Sequence, residues 1–259
     1  MKPVTAERNG QIIEITIDRP KANAIDAVTS QMLGEVFKDF RDDTEARVAI
    51  LTGAGERFFS AGWDLKAASA GEGYEADYGV GGFGGFPELA DLNKPVITAV
   101  NGMAVGGGFE LVLASDLVVA ANHAEFFFGE LAAGVIPDAG TVRLPRMVPP
   151  AIAKELILAG RRLTAHEAQD LGLVNRVVPA DDLMETARFL AAEICAAAPL
   201  AVAAVLEAIR DSSSLGVQEA LAAMRNGVLP QYTAMLHSED AKEGPTAFAE
   251  GREPQWKGR

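Results

Sequence analysis

Apolar runs of strand length alternate with stretches of helical periodicity along the first 178 residues of the chain. Each run predicts a buried strand, because a few consecutive apolar or β-branched residues between turn residues are typical of a sheet interior. The predicted strands cover residues 11–18, 48–52, 95–100, 116–121, 125–129 and 173–178. Strands that alternate with helices favour an α/β fold.

Apolar residues at helical spacing predict the helices between these strands. The first covers residues 22–40, with Asp26 as its N-cap. A later helix at residues 151–160 ends in glycine, and the capping box Thr164–Glu167 opens the next one.

The helical pattern becomes continuous in the last third of the chain. Residues 131–146 are predicted to be a loop that turns into a helix near Thr141. After residue 179 only helices are predicted, at residues 181–197, 200–209, 217–229 and 241–250. We therefore predict a mixed core at residues 1–195 and a helical region at residues 196–259.

Two segments of the core resemble each other. VAILTGAG at residues 48–55 and PVITAVNG at residues 95–102 both place a glycine turn after a buried strand. They look like two turns of one repeated ββα unit. Such a repeat could bring the two post-strand loops side by side, so that backbone N–H groups from distant parts of the chain converge on one oxygen.

The stretch NGMAVGGGFE at residues 101–110 combines a strand end, three consecutive glycines and the start of a buried helix. Glycine lets the backbone approach another group closely, and the first N–H groups of a helix have no internal acceptor. The turn is therefore suited to holding an oxygen that becomes negative. Close packing of glycine and an ordinary acid at a helix N-terminus explain the stretch equally well at this point.

Residues 70–87 interrupt the alternation with seven glycines, two tyrosines and little apolar periodicity. We expect a mobile loop or lid there, and this segment is called the lid below. It contains a formal G-x-G-x-x-G at residues 79–84, but no strand precedes the motif and no apolar helix follows it. We reject a dinucleotide site for that reason.

Composition limits the partners and the location. The formal charge of −13 argues against nucleic acid as a partner. No stretch approaches the roughly 18 apolar residues of a membrane span, and the N-terminus lacks the apolar core of a signal peptide. One cysteine, Cys195, fits a reducing compartment, so we expect a cytoplasmic protein without a membrane partner.

Carboxylates near glycine turns are the remaining candidate chemistry. The chain has no G-x-S-x-G, P-loop or H-E-x-x-H motif, and its three histidines are scattered, which supports neither a hydrolase triad nor a metal site. Glu110 follows the triple glycine, Glu130 follows an aromatic run, and Asp138 lies in the next loop. Desolvation is expected to raise the pKa of Glu130 and to let it exchange a proton near neutral pH. Each acid alone could also be an ordinary helix-end or surface charge.

Several longer motifs resemble the crotonase (enoyl-CoA hydratase/isomerase) superfamily over essentially the whole chain. They are RPKANAID at 19–26, FFSAGWDL at 58–65, NKPVITAVNGMAVGGGFEL at 93–111, GELAAGVIPDAGTVRLPR at 129–146, TAHEAQDLGLVNRVVP at 164–179 and SEDAKEGPTAFAEGREPQWKGR at 238–259. The resemblance implies a ββα-spiral core and a C-terminal helical region that assembles a homotrimer or a dimer of trimers. It also implies an acyl-CoA thioester substrate, a place in fatty acid metabolism, and no metal or redox cofactor.

The resemblance implies roles for individual residues. The oxyanion hole would be the backbone N–H groups of Trp63 and Gly107, and the catalytic acids would be Glu110 and Glu130. Residues expected to contact substrate or coenzyme A are Lys21, Ala22, Ala24, Ala61, Asp64, Leu65, Lys66 and Asp138. Gly129 stands where the family usually has proline, so we expect Glu130 to be less rigidly held.

Three functions follow as hypotheses. The first is a lyase that hydrates a short-chain 2-enoyl-CoA reversibly, with Glu130 as acid or base at Cα and Glu110 at the water. The second is a double-bond isomerase of the same family that uses Glu130 or Asp138, because some family isomerases carry an acid at the latter position. The third is a non-catalytic acyl-CoA-binding scaffold in which the glycine turn serves only packing.

Overall fold

The computed structural model describes residues 2–259. They form two compact units: the first runs up to Leu92 and continues over Val96–Ala191, and the second comprises Asn93–Pro95 and Ala192–Arg259. The chain passes from the first unit to the second between Ala191 and Ala192, within the helix Leu183–Cys195. The predicted domain division between residues 195 and 196 stays a prediction.

Two sheets lie in the first unit. The strands are β1 (Val4–Asn9), β2 (Ile12–Ile17), β3 (Val48–Gly53), β4 (Phe58–Ser60), β5 (Val96–Val100), β6 (Met103–Val105), β7 (Leu117–Ala121), β8 (Glu125–Phe127), β9 (Leu163–Thr164) and β10 (Arg176–Val178). The larger sheet has the order β1-β2-β3-β5-β7-β10, and the smaller has the order β4-β6-β8-β9. Only the β1–β2 and β8–β9 pairs are antiparallel.

The strands alternate between the two sheets along the chain. β3, β5 and β7 lie side by side in the larger sheet, and the strand that follows each of them, β4, β6 or β8, lies in the smaller sheet. Each repeat of the chain therefore adds one strand to the larger sheet and the next strand to the smaller sheet, which confirms the predicted ββα repeat. Because the pairs are parallel, the loops that follow equivalent strands emerge at the same sheet edge.

The helices of the first unit cover the sheets and the ends of the strands. They are α1 (Ala27–Asp42), α2 (Leu65–Ser69), α3 (Gly107–Ala114), α4 (Asp138–Met147), α5 (Pro150–Ala159), α6 (Ala165–Asp170) and most of α7 (Leu183–Cys195). Short 3-10 turns occur at Glu130–Ala133 and Ala180–Asp182. The predicted capping box at Thr164 and Glu167 opens α6.

One hydrophobic core joins both sheets to the helices of this unit. β3 is buried at every position, which is expected for a strand with both faces covered. Fully buried Phe59 and Phe126 come from the smaller sheet, and Phe109 of α3 packs against the Phe126 ring with a centroid distance of 5.4 Å. α3 is buried from Gly107 to Leu113, so it fixes the glycine turn that precedes it inside the core.

The second unit contains α8 (Pro199–Ser212), α9 (Val217–Arg225), α10 (Pro230–His237) and α11 (Asp240–Glu250). Buried Glu207 of α8 accepts the Gln231 and Tyr232 N–H groups at 2.9 and 3.1 Å and so caps α10. Asp240 accepts the Lys257 N–H group at 2.7 Å, which folds the C-terminal segment back onto α11. The prediction of a mixed core followed by helices only is confirmed.

Several predicted boundaries are wrong. The helix predicted at residues 22–40 begins only at Ala27, because Ala22 accepts the Ala61 N–H group and Ile25 pairs with Trp63. The helix after residue 131 begins at Asp138 rather than near Thr141, and the strand predicted at 173–178 contains only Arg176–Val178.

In the C-terminal region the helix predicted at residues 217–229 ends at Arg225, and Pro230 starts a separate helix. Pro at the first helical position favours a new start there. Among residues 2–259, no single helix has the length and apolar character that crossing a membrane would need.

Candidate active site

A cavity of about 280 Å³ opens in the first unit, at the edge where the smaller sheet ends. It is lined by four aromatic side chains, six acids and small or aliphatic residues: Trp63, Tyr74, Tyr78, Phe83, Glu75, Asp77, Glu88, Glu110, Glu130, Asp138, Ala76, Gly79, Gly82, Gly107, Val135 and Ile136. The cavity thus contains both predicted catalytic glutamates and both residues predicted for the oxyanion hole.

Two glycine turns meet at the base of this cavity. Residues 61–64 follow β4, residues 105–110 begin at the last residue of β6, and these two strands are parallel neighbours. Gly62 has φ +73°, and a Cβ there would collide with the Gly107 nitrogen and the Val105 carbonyl. The two backbones can approach this closely only because position 62 has no side chain. We call residues 61–64 and 105–110 the glycine floor.

The Trp63 and Gly107 N–H groups are unpaired donors of the glycine floor, and Gly107 itself is buried. Ile25 donates to the Gly62 carbonyl and accepts from the Asp64 N–H, which leaves the Trp63 amide directed away from this pairing. Gly107 is the first residue of α3 and has no acceptor within its helix. Across residues 2–259, neither N–H donates to a protein atom.

Glu110 lies in the first turn of α3 with only 6% of its surface exposed. It accepts the Gly140 N–H group at 2.7 Å, so α4 holds a carboxyl that α3 carries. Burial away from water raises the pKa of Glu110 to about 8, and the nearby charges of Asp138 and Glu130 act in the same direction. A carboxyl of this kind can hold or release a proton near neutral pH.

Glu130 begins the 3-10 turn on another wall of the cavity. Its Oε2 accepts the Gly129 N–H group at 2.8 Å, a bond that a proline at position 129 could not make. Its carboxyl also lies against Gly106, where any Cβ would collide with it. Burial raises the pKa of Glu130 above its ordinary value, which confirms the direction expected from the aromatic run before it.

Asp138 is exposed, although it lines the same cavity as the two glutamates. It is the first residue of α4, where a negative charge is favourable. Asp138 is thus brought close enough to raise the pKa values of both glutamates through its charge.

The lid supplies three of the four aromatic lining residues and packs against the glycine floor. The Tyr74 ring packs edge-on against the Trp63 indole at 5.3 Å, and Tyr78 packs in the same way against Phe83. The Tyr74 hydroxyl donates to the Ile136 carbonyl at 2.5 Å across the cavity. Desolvation and the neighbouring carboxylates raise the pKa of Tyr78 to about 12 and that of Tyr74 further, so both remain neutral phenols.

The lid has turns but neither helix nor strand, and α1 holds it. The buried Ser30 hydroxyl lies 3.0 Å from the Tyr78 and Gly82 carbonyl oxygens and accepts the Gly84 N–H group at 2.9 Å. Gln31 donates to the Asp77 carbonyl at 2.9 Å. The lid position therefore depends on a few side-chain contacts, from Ser30 and Gln31 of α1 together with the Tyr74 hydroxyl and Arg143, which donates to the Pro87 carbonyl at 2.9 Å.

The two segments predicted to contact coenzyme A are adjacent. The Ala61 N–H group donates to the Ala22 carbonyl at 2.9 Å, while Ala24 accepts a bond from Arg19. Asp64 is buried, caps α2 and pairs with Arg19 at 2.5 Å, so its side chain is already used within the fold. The exposed residues of this set, which lie outside the cavity lining, are Lys21, Leu65 and Lys66.

Several residues that line the cavity had no sequence-based prediction of contact with the substrate, among them Phe83, Glu88 and Ile136. Glu72, one of the lid acids, accepts the Trp63 indole N–H. An aromatic residue between glycines could have drawn attention to Phe83, whereas Ile136 and Glu88 carry no local signal. Their position depends on how the lid folds over the glycine floor.

Comparison with known proteins identifies the family to which the sequence is similar. The enoyl-CoA hydratase/isomerase family model matches residues 7–259. Curated proteins named carnitinyl-CoA dehydratase, from Salmonella heidelberg and Salmonella typhimurium, are 58% identical over 253 residues, which is 97% of this chain and 97% of theirs.

Solved structures show the same fold. The enoyl-CoA hydratase of Mycobacterium tuberculosis H37Rv superposes with a TM-score of 0.90 at 40% identity, covering 99% of both chains. The enoyl-CoA hydratase of Bacillus anthracis gives a TM-score of 0.89 at 35% identity and covers 100% of both chains.

Proposed function

The chain belongs to the enoyl-CoA hydratase/isomerase family, and from that premise we propose that it is a hydro-lyase acting on a 2-enoyl-CoA thioester. The reaction is the reversible addition of water across the double bond next to the thioester. The relatives named carnitinyl-CoA dehydratase make the pair crotonobetainyl-CoA and carnitinyl-CoA the favoured substrates. The observation that carries the proposal is the position of two desolvated glutamates beside two free backbone N–H groups in one cavity.

The N–H groups account for activation of the thioester. Adding a hydroxyl at Cβ, or removing a proton at Cα, places negative charge on the thioester oxygen. In our proposal the Trp63 and Gly107 N–H groups donate to that oxygen. Removal of one donor of this kind typically costs about 2.7–4 kcal/mol of transition-state stabilisation.

The glutamates account for the proton and the water. During hydration one carboxylate takes a proton from a water molecule while the oxygen of that water attacks Cβ. A second carboxyl, which is protonated, gives its proton to Cα. We assign the first role to Glu110 and the second to Glu130, and dehydration reverses both. The raised pKa values of both acids support acid–base roles for the pair, because each must change protonation within one turnover near neutral pH; the division of roles between them follows the family resemblance.

The cavity lining supports a positively charged acyl group. Six of the lining side chains are acidic and four are aromatic, whereas the lining contains no lysine or arginine. A quaternary ammonium group such as that of crotonobetaine is attracted both to carboxylates and to the faces of aromatic rings. An uncharged acyl chain would gain no such electrostatic attraction.

A double-bond isomerase is the second candidate, because Asp138 lies in the same cavity and could return a proton to another carbon.

We also propose that the exposed apolar residues of the second unit form subunit contacts of a homotrimer or dimer of trimers. Phe248, with 89% of its surface exposed, is the largest of them. The cytoplasmic location and the role in fatty acid metabolism stay predictions.

The test is a panel of enoyl-CoA thioesters that contains crotonobetainyl-CoA and uncharged crotonyl-CoA, whose double-bond absorbance falls on hydration. We expect turnover of both, with a higher kcat/KM for crotonobetainyl-CoA. Products are identified by mass spectrometry in deuterated water. Migration of the double bond without a hydroxyacyl product would favour the isomerase. Binding of the thioesters without turnover across the panel would contradict the proposal that the protein is an enzyme.

A further inference from the structure

Glu72, at the start of the lid, joins three parts of the first unit. Its Oε1 accepts the Trp63 indole N–H at 3.3 Å, and its Oε2 accepts the Ala27 N–H group at 3.0 Å. Ala27 is the first residue of α1, a helix with no acid of its own in the first turn. The Glu72 backbone is fixed as well, because its N–H donates to the Ala67 carbonyl at 3.0 Å.

The contacts of Glu72 continue across the cavity. The indole that it holds packs edge-on against Tyr74, and Tyr74 donates to the Ile136 carbonyl on the opposite wall. Trp63 therefore lies between a carboxylate behind it and a tyrosine beside it. Replacement of Glu72 would remove the carboxylate that accepts the indole N–H while leaving the lining residues themselves unchanged, the Tyr78 hydroxyl near the indole included.

The charge of Glu72 matters in addition to its geometry. A carboxylate that accepts an indole N–H polarises the ring and makes its face more negative. Tryptophan is the aromatic residue with the strongest attraction for cations, and this attraction depends on the negative face of the ring. A negative group bonded to the ring edge therefore strengthens cation binding on the ring face.

We propose that Glu72 is a positioning residue that fixes the Trp63 indole as the platform for a cationic acyl group, and that it contributes to substrate specificity. The proposal rests on the proposed function for its ligand, a quaternary ammonium acyl thioester. It does not require Glu72 to contact the substrate or the reacting atoms.

Fluorescence tests the positioning directly. The chain has two tryptophans, and the Trp256 indole donates to the Ala196 carbonyl in the second unit. In a Trp256→Phe background, Trp63 is the sole emitter. Glu72→Ala is expected to lower its steady-state anisotropy and to increase its quenching by acrylamide about twofold. Unchanged anisotropy and quenching would overturn the proposal.

Kinetics separate charge from position. For crotonobetainyl-CoA we expect Glu72→Ala to raise KM about tenfold with kcat within about twofold, and for crotonyl-CoA we expect a change below about twofold. Glu72→Gln keeps an acceptor oxygen but no charge, so it should retain the Trp63 anisotropy and raise the crotonobetainyl-CoA KM about threefold. Equal changes for both substrates would indicate a purely structural role and overturn the specificity proposal.

Glu75→Gln is the matched control. Glu75 lines the same cavity from the same lid, so the substitution removes one negative charge without freeing the Trp63 indole. The Trp63 anisotropy should not change in this variant. If the unsubstituted enzyme hydrates crotonyl-CoA but does not bind crotonobetainyl-CoA, the proposed acyl group and the specificity role both fail, whereas the fluorescence result still decides whether Glu72 fixes Trp63.

Discussion

The glycine floor and the lid both line one cavity, yet they are held in different ways. Backbone hydrogen bonds of paired strands fix the floor, such as the Gly106 N–H to the Phe127 carbonyl at 2.9 Å. Side chains fix the lid, chiefly Ser30 of α1 and the Tyr74 hydroxyl. The floor carries the proposed chemistry, and the lid carries most of the residues that would surround the acyl group.

This difference teaches how one fold can keep a reaction and change its substrate. A backbone donor such as the Gly107 N–H survives nearly every side-chain substitution around it. Each lid contact, in contrast, can be lost by a single substitution. Substitutions in the floor should therefore reduce kcat, whereas substitutions in the lid should mainly change KM and the choice of acyl group.

The largest effect is expected from the two glutamates, Glu110 at the end of the glycine floor and Glu130 in the same cavity. Glu130→Gln and Glu110→Gln should each lower kcat by about 10²–10⁴-fold, because glutamine keeps the size of the side chain but cannot exchange the proton. Stopped-flow absorbance with crotonobetainyl-CoA measures the rates, and circular dichroism and acyl-CoA binding confirm a folded protein. Full activity in both variants would contradict the catalytic roles proposed for Glu110 and Glu130.

Gly62→Ala should break the floor itself. The added Cβ would meet the Gly107 nitrogen at 2.6 Å and displace a proposed oxyanion donor. We expect kcat to fall about 10²-fold or more, as on loss of one oxyanion donor.

Gly55→Ala is the control for backbone strain, since Gly55 also has a left-handed φ, +81°, but its Cβ would meet nothing within 4 Å. It should cost about 1 kcal/mol of stability and leave kcat unchanged. Similar kcat losses in both variants would show that strain, and not the floor, explains the effect.

The pH dependence of stability tests the burial of Glu110. The pKa of this carboxyl is raised from 4.5 to about 8 on folding, so at intermediate pH the folded protein keeps a proton that the unfolded chain releases. The contribution of Glu110 to stability is thus present below pH 4.5 and is lost as pH rises toward 8. Urea unfolding at pH 5 and pH 8 should show a decline of a few kcal/mol in the unfolding free energy of the wild type relative to Glu110→Gln. Parallel pH dependence of the two proteins would contradict the shift.

The smallest effect is expected from the lid. Tyr74→Phe keeps the ring beside Trp63 but loses the hydrogen bond to the Ile136 carbonyl. KM should rise about threefold with kcat nearly unchanged, the size expected for one neutral hydrogen bond. Tyr78→Phe is the matched control, because the Tyr78 hydroxyl donates to the Gly73 and Tyr74 carbonyls within the lid and makes no bond to Ile136. A larger effect in this control would contradict the assignment of Tyr74 as the contact between the walls.

Sequence patterns predicted the long, buried strands well and the short ones poorly. β3 and β5 are uninterrupted apolar runs, so their burial can be read from composition. β4 and β6 have three residues each and were not predicted as strands. Segments of this length form because they pair with each other, and periodicity cannot reveal a partner that lies more than forty residues away.

The wrongly predicted start of α1 at residue 22 also results from contacts with distant parts of the chain. Residues 22–26 continue the helical spacing of α1, yet they are extended because Ala22 and Ile25 bond to the glycine floor. A local preference of a few tenths of a kcal/mol per residue is easily overridden by such tertiary contacts.

The sequence by itself determined the alternation of strands and helices, the glycine turns, and two acids next to them, because these depend on the chemistry of neighbouring residues. Its motifs also determined the family. Only the tertiary structure decided that Gly62 lies against Gly107, that Gly140 holds Glu110, and that the lid lines the same cavity as both glutamates. The physical reason is that desolvation and converging N–H groups arise from contacts between distant parts of the chain, and it is these contacts that turn common residues into a candidate active site.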